Sequence, residues 1–265
     1  MLNITNLTVY YNNEDFPSLK NFSLDWKSNG LIVIAGNSGS GKSTFAKAIF
    51  NLLPNNSKVS GTILLNNQNI AEIPEEQVFR TLGFLPQFPS DYVLNLLVYD
   101  EIAFPLENLG FSKSEIAQRI EEVGSQLRIS HLKSKIVTEL SSGELQKVAL
   151  ATALVSKPSI IVLDEPFARI DSDSEISLIN SLSELKKSSL IIVLEHHLDY
   201  ILDLTDYMIL LDNGQIISQG IPQKVLNDLK QNKPEISKIL IPPNLKDFMN
   251  YDIILNELKN VLKGY

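Results

Sequence analysis

The sequence has no cysteine, one tryptophan and three histidines in 265 residues. Without cysteine it forms no disulfides and offers no thiolate to a metal, which fits a reducing compartment. Positive charge is scarce: 23 Lys and Arg stand against 31 Asp and Glu, for a formal net charge of −8. That balance disfavours a nucleic-acid backbone as partner. Long apolar runs are missing as well. The longest, Leu31–Ala35, Ile160–Leu163 and Leu190–Leu194, fall far short of the roughly 20 residues that span a bilayer. A soluble chain is expected, with any membrane role reached through a partner. The start, "MLNITNLTVYY", has neither the basic nor the apolar stretch of a signal peptide. Internal repeats and low-complexity linkers are not found.

What remains is 44% hydrophobic, enough for one large domain, or one and a half, around a substantial core. Short β-branched runs at 31–35, 160–163, 190–194 and 207–211 suit strands buried on both faces. Helical patterns near 42–52, 142–156, 173–187 and 222–230 alternate with them, which predicts an α/β layered core. The first 30 residues alternate more loosely and predict an antiparallel flap, joined by "GTILLN" at 61–66. Between Phe88 and Leu140 strand signals vanish, and Ser112 with Glu115 forms a capping box that opens a helix to about Leu127. We therefore expect a main domain over 1–232 with a helical insertion at about 88–141. An amphipathic helical extension is expected over 233–265.

Two stretches offer anion seats. Gly36-Asn37-Ser38-Gly39-Ser40-Gly41-Lys42-Ser43, followed by Thr44, satisfies G-x-x-x-x-G-K-[ST] between a strand and a helix. Its backbone N–H groups would wrap phosphates, Lys42 would reach the β- and γ-phosphates, and the Ser43 hydroxyl would ligate Mg²⁺. "SIIVLDEP" at 159–166 is an apolar strand ending in two acids. Asp164 suits Mg²⁺, held through water, and Glu165 suits the polarising of an attacking water. The second seat is "TELSSGELQKVALA" at 138–151, a hydroxyl-and-glycine turn that opens a helix with unpaired N–H groups.

This second seat, about twenty residues before "IIVLDEP", resembles the LSGGQ signature of ABC ATPases. In that family two nucleotide-binding domains pair head to tail, and each ATP lies between one P-loop and the partner's signature helix. The resemblance thus assigns the two seats to two different nucleotides. It also implies roles for Ser141, Ser142 and Gly143 at the signature and for Tyr11, with Tyr10 as fallback, stacking on adenine. Gln87 in "GFLPQF" matches the Q-loop glutamine, in contact with Mg²⁺ and water. Asp171 in "ARID" matches the D-loop aspartate, and His196 in "LEHHLD" matches the switch histidine by the family's T-H-D register. His131 lacks a supporting motif and reads as a surface residue.

The stretch "LLVYDEIAFPLENLGFSKSEI" at 96–116 is similar to that of ATPases of energy-coupling-factor (ECF) transporters, importers of vitamins and transition-metal ions. Their assembly implies ATP and Mg²⁺, a second ABC ATPase, a membrane scaffold subunit and a membrane substrate-binding subunit. The place implied is peripheral, on the cytoplasmic face of the cell membrane. Residues 87–92, Asp91 above all, would meet the scaffold. Pro105 stands where that family has glycine and is expected to kink its helix at most. Ser142, Glu144 and Arg169 depart from the signature and D-loop patterns, while Lys42, Ser43, Asp164, Glu165 and His196 are intact. That asymmetry hints at a heterodimer, although a homodimer stays open. The competing readings are a soluble ABC ATPase uncoupled from transport and a partner that binds ATP but seldom cleaves it.

Overall fold

Alternating apolar residues make the first strands one face of a sheet. In the computed structural model, which describes residues 1–12, 14–168, 170–198 and 200–232, β1 (Leu2–Tyr10) buries Leu2, Ile4, Leu7 and Val9. The period slips after Ile4, where β1 shifts register against both β2 (Leu19–Trp26) and β4 (Lys58–Leu65). Asn6 at φ 51 and Asn21 at φ 53 take left-handed backbone there. At Gly61, φ 96, a Cβ would lie 2.5 Å from the Asn6 carbonyl oxygen. These bulges explain why the alternation in the sequence is loose. With β5 (Gln68–Asn69) the strands run β2-β1-β4-β5 in an antiparallel sheet, which is the expected flap.

The unbroken apolar runs build the second sheet. It holds β3 (Gly30–Ala35), β6 (Leu82–Leu85), β7 (Ile160–Asp164), β8 (Leu190–Glu195), β9 (Tyr207–Asp212) and β10 (Gln215–Gly220). Their order is β10-β9-β3-β8-β7-β6, parallel throughout except for β10. Every residue of β3, β7 and β8 is buried, as a parallel sheet covered on both faces requires. Alternate residues of β3 divide between two cores. Ile32 and Ile34 pack with the flap, α1 (Lys42–Ile49) and Val78 of α2 (Glu75–Thr81). Leu31, Val33 and Ala35 pack with α3 (Val98–Asn108), α4 (Lys113–Gln126), α5 (Ser142–Leu154), α6 (Ser172–Leu185) and α7 (Pro222–Asn232).

Residues 88–141 contain α3, α4 and short 3₁₀ turns, with a single isolated bridge between Leu97 and Ile136. Pro105 does not end α3, which continues to Asn108. The Ser112–Glu115 capping box is present. α2, β6 and β10 escaped the sequence reading. α2 buries one residue, Val78, so it shows no apolar stripe, and β6 is four residues long. The expected extension over 233–265 and the Arg169 departure lie outside the described residues.

Sheet register positions the site. Ala35 pairs with Glu195 across β3 and β8, and Asp164 pairs with Leu194 across β7 and β8. The loops that follow β3, β7 and β8 therefore leave one carboxyl edge together. Gln87 follows two residues after β6, which is in register with β7. In open α/β sheets this edge is where ligands bind.

Candidate functional site

The loop after β3 is shaped by close backbone approach. A Cβ on Gly36 would lie 2.5 Å from the Leu211 carbonyl oxygen, and Gly41 holds φ 106 immediately before α1. Only glycine meets both demands without strain. Lys42, at the first turn of α1, is 5% exposed and donates from Nζ to the carbonyls of Gly36 at 2.6 Å and Asn37 at 3.0 Å. Burial lowers its pKa, and the acids Glu165, Asp164 and Glu195 oppose that shift. Its ammonium thus sits at the mouth of the loop, faced by three acids. Asn37 Oδ1 and Ser40 Oγ are buried there without a hydrogen-bond partner among the described residues. A polar, glycine-shaped cradle with unused donor and acceptor capacity fits a phosphate chain.

The neighbouring strands add oxygen donors. Ser43 Oγ donates to Asp164 Oδ2 at 3.1 Å. Desolvation raises the Asp164 pKa, opposed by that hydrogen bond. A hydroxyl and a carboxylate suit a hard cation that keeps most of its remaining ligands as water and phosphate. Among the described residues, no cluster of three or more His, Cys, Asp or Glu could hold a metal by itself.

Glu165 follows in a left-handed conformation, φ 49, with its N–H donated to Leu194 O at 2.9 Å. Such strain in a non-glycine residue is held by its surroundings. Gln87 Nε2 donates to Glu165 Oε2 at 2.6 Å, and His196 Nδ1 stands 3.2 Å from Glu165 Oε1. Burial lowers the His196 pKa, so the ring is neutral at neutral pH. The structure therefore brings Lys42, Ser43, Asp164, Glu165, Gln87 and His196 into one cluster. Tyr11 joins at its margin, with its hydroxyl 3.4 Å from Thr44 Oγ1. His131 is exposed, as expected.

The second seat is built around the starts of α5 and α6. Ser141 caps α5: its Oγ accepts from Glu144 N at 3.2 Å, and Glu144 Oε2 accepts from Ser141 N at 2.8 Å. Lys135 Nζ reaches Glu144 Oε1 at 3.0 Å. The Ser141 N–H and Lys135 hold the Glu144 carboxyl down at about 2. Asp171 caps α6, accepting from Ser174 N at 2.8 Å and Ser174 Oγ at 3.1 Å. The Cβ direction of Gly143 faces its own chain, where a Cβ would lie 3.1 Å from Ser174 Oγ and 3.2 Å from Asp171 Oδ2. Gly143→Asp should therefore cost about 1–3 kcal/mol by setting a carboxylate beside Asp171. Gly143→Ala should cost less, since alanine gains up to about 1 kcal/mol of helix propensity. Urea unfolding compares the two, and an aspartate variant as stable as the wild type would refute the contact.

Two connections carried no sequence signal strong enough to mark them. Gln146 Nε2 donates to Pro166 O at 3.0 Å, tying α5 to the turn after Glu165. Glu195 ends β8 as a buried acid beside His196. Its clue was the parallel between "IIVLD" and "IIVLE", two apolar strands that each end in a carboxylate.

Comparison with known proteins agrees with this geometry. A family model described as ABC transporter matches residues 19–168. An ABC transporter ATP-binding protein of Pyrococcus abyssi is 31% identical over 235 residues, 87% of this chain and 84% of the relative. The energy-coupling factor transporter ATP-binding protein EcfA of Pediococcus pentosaceus is 33% identical, covering 86% of this chain and 81% of its own. Some relatives are longer: the chain spans 50% of an ABC transporter ATP-binding protein of Clostridium tetani, at 33% identity. Among solved structures, CbiO1 of Clostridium perfringens, part of the ABC transporter complex cbiONQ, superposes with a TM-score of 0.74. It is 27% identical, over 89% of this chain and 96% of that one.

Proposed function

The chain belongs to the ABC transporter ATP-binding family and is an ATPase that binds ATP, and from that premise we propose that it powers an importer of the energy-coupling-factor type. The observation that carries the ATPase chemistry is the convergence of Lys42, Ser43, Asp164, Glu165, Gln87 and His196 on one sheet edge. The EcfA and CbiO1 likenesses and the stretch at 96–116 support the importer class, with vitamins or transition-metal ions as cargo.

The site's own residues divide the work. The loop 36–41 and Lys42 hold the β- and γ-phosphates, with Thr44 continuing the cradle into α1 and Tyr11 set beside the adenine. Ser43, Asp164 and Gln87 would hold Mg²⁺, which when bound neutralises phosphate charge. Water attacks the γ-phosphorus as the bond to ADP breaks, and the Glu165 carboxylate takes the water's proton. His196, neutral, stands against Glu165 at Nδ1 and offers its Nε2–H toward the γ-phosphate. A second ATPase, the same chain or a different one, completes each site with its Ser141–Gly143 seat and Asp171. Departures at Ser142 and Glu144 favour a different one. The capping of Ser141 and pairing with Lys135 turn the Glu144 charge away from that seat.

Gln87 links the base to the membrane. It bonds Glu165 at one end, and the chain beyond it runs to α3. Between the core and α3 lies a groove of ≈ 520 Å³ lined by Phe50, Phe79, Phe84, Phe104 and Pro105. Residues 87–92, expected to meet the scaffold, adjoin this groove, with the Tyr92 ring edge-on to Phe84 at 6.5 Å. No helix among the described residues is long and apolar enough to cross a membrane, so we assign the groove to helices of a membrane scaffold. The chain then sits peripherally on the cytoplasmic face.

Co-purification tests this reading. A tagged chain extracted with mild detergent should bring down an integral membrane scaffold and a substrate-binding subunit, and the complex should hydrolyse ATP. Recovery as an active ATPase free of membrane proteins would favour an uncoupled enzyme. Asp91, exposed on the turn at 89–92, is the proposed charged contact with the scaffold. Asp91→Lys should abolish vesicle uptake while basal hydrolysis stays within about twofold, because reversing a rim charge acts on docking. Normal uptake would reject the contact.

A further inference from the structure

Hydrolysis as described leaves one buried acid of the site without a part. Glu195 is 2% exposed and in register with Ala35, the residue before the phosphate loop. Its carbonyl accepts the Gly36 N–H at 3.3 Å, which ties β8 to the first residue of that loop. Its Oε2 accepts the backbone N–H of His196 at 3.3 Å and stands 3.8 Å from His196 Nδ1. The same ring nitrogen meets Glu165 Oε1 at 3.2 Å. One imidazole is thus held between two carboxyls. The charged groups that face Glu195 are Asp164 and Glu165 from the end of β7, Lys42 from α1 and the ring of His196 beside it. Three acids surround one ammonium in a site that must also accept a triphosphate. Burial, then the Glu165 charge, push the Glu195 carboxyl up to about 8.

We propose that Glu195 is a positioning residue that keeps a proton beneath His196, fixing the ring from the strand side without setting a third negative charge against the phosphates. The inference rests on reading the cluster as an ATP site. A third carboxylate at this range, with little water between, would repel the substrate strongly. A protonated acid fills the same space and makes the same contact with the His196 N–H without that cost. Glu195 stands where the T-H-D register has threonine, whose hydroxyl cannot ionise either.

Two readouts on the full chain test the proposal. First, the His196 ring signal, assigned by its loss in His196→Gln, is followed by NMR from about pH 5.5 to about pH 9.5. Besides the ring's own titration at acid pH, the wild type should show a second inflection near pH 8, and Glu195→Gln should abolish it. Second, affinity for the non-hydrolysable Mg-AMP-PNP is measured by calorimetry over the same range. Wild-type affinity should fall about threefold to tenfold between pH 7 and pH 9 relative to Glu195→Gln, the pH window set by the raised carboxyl. Any loss from deprotonation of Lys42 is common to both chains and cancels in the comparison. Glu195→Leu, lacking charge and acceptor, should lower kcat about tenfold at unchanged KM, with activity restored in Glu195→Gln. A wild-type ring signal without the second inflection, or parallel affinity curves for wild type and Glu195→Gln, would overturn the proposal. If no chain binds AMP-PNP at any pH, the ATP-site reading fails, while the NMR inflection still decides whether Glu195 titrates beneath His196.

Discussion

Glu165→Gln is expected to leave Mg-ATP binding intact and slow hydrolysis by about 10²–10⁴-fold, the range set by loss of a general base. The geometry explains why binding should survive. Glu165 is not bonded to Lys42 or Ser43; its two oxygens are taken by Gln87 and approached by His196 Nδ1. An amide of the same shape can keep its oxygen toward the Gln87 donor and turn its NH₂ toward the unprotonated Nδ1 of a neutral ring. The scaffold around the water is then preserved while the group that takes its proton is gone. The left-handed backbone at φ 49 costs a glutamine as much as a glutamate, so stability should change little. With ATP bound and uncleaved, the pair of ATPases should stay closed, and sedimentation with Mg-ATP should detect a lasting dimer. Single-turnover hydrolysis at the wild-type rate would move the base elsewhere, with His196 the first residue to examine.

Local patterns were legible where one short segment carries all the information. The parallel strands read as apolar runs because they are buried on both faces. The caps at Ser112 and Ser141 read from residues three apart, and the glycine-rich loop from its own spacing. Contacts assembled from distant segments were not legible. The groove takes Phe50 from the end of α1, Phe79 from α2, Phe84 from β6 and Phe104 from α3, and no window of sequence holds two of these on one face. The closeness of Gly143 to Asp171 and Ser174 was not legible either, because it exists only once the starts of α5 and α6 are brought together. Glu195 was passed over because it ends an apolar run, and its meaning depends on Asp164, Glu165 and Lys42 arriving from two other elements. The loose alternation of β1 was legible as irregularity, but its cause, left-handed asparagines at bulges, appears only with the strands paired.

Lys42→Ala should weaken Mg-ATP binding by about 2–5 kcal/mol, the cost of truncating one side of a buried charge pair, or roughly 30- to 5000-fold in Kd. The fold should survive. Lys42 is a buried ammonium whose burial lowers its pKa, so the protein already bears a desolvation cost to keep it there. Its two hydrogen bonds go to the Gly36 and Asn37 carbonyls of its own loop and to no core element, so removing them loosens the loop alone. The compensation is electrostatic: without the ammonium, Asp164, Glu165 and Glu195 face one another unscreened, and the Asp164 and Glu195 carboxyls, already raised, should rise further. The loss of affinity should therefore steepen with pH, because each carboxylate that ionises adds repulsion toward the triphosphate with no cation to offset it. Thermal melts should show Tm within a few degrees of wild type at about pH 6, with a larger deficit at about pH 8.5, where the acids ionise. Calorimetry at the same two pH values reads the binding directly. Affinity equal to wild type at both would mean that the glycine-rich loop does not seat the phosphates, and the assignment of the whole cluster would fall with it.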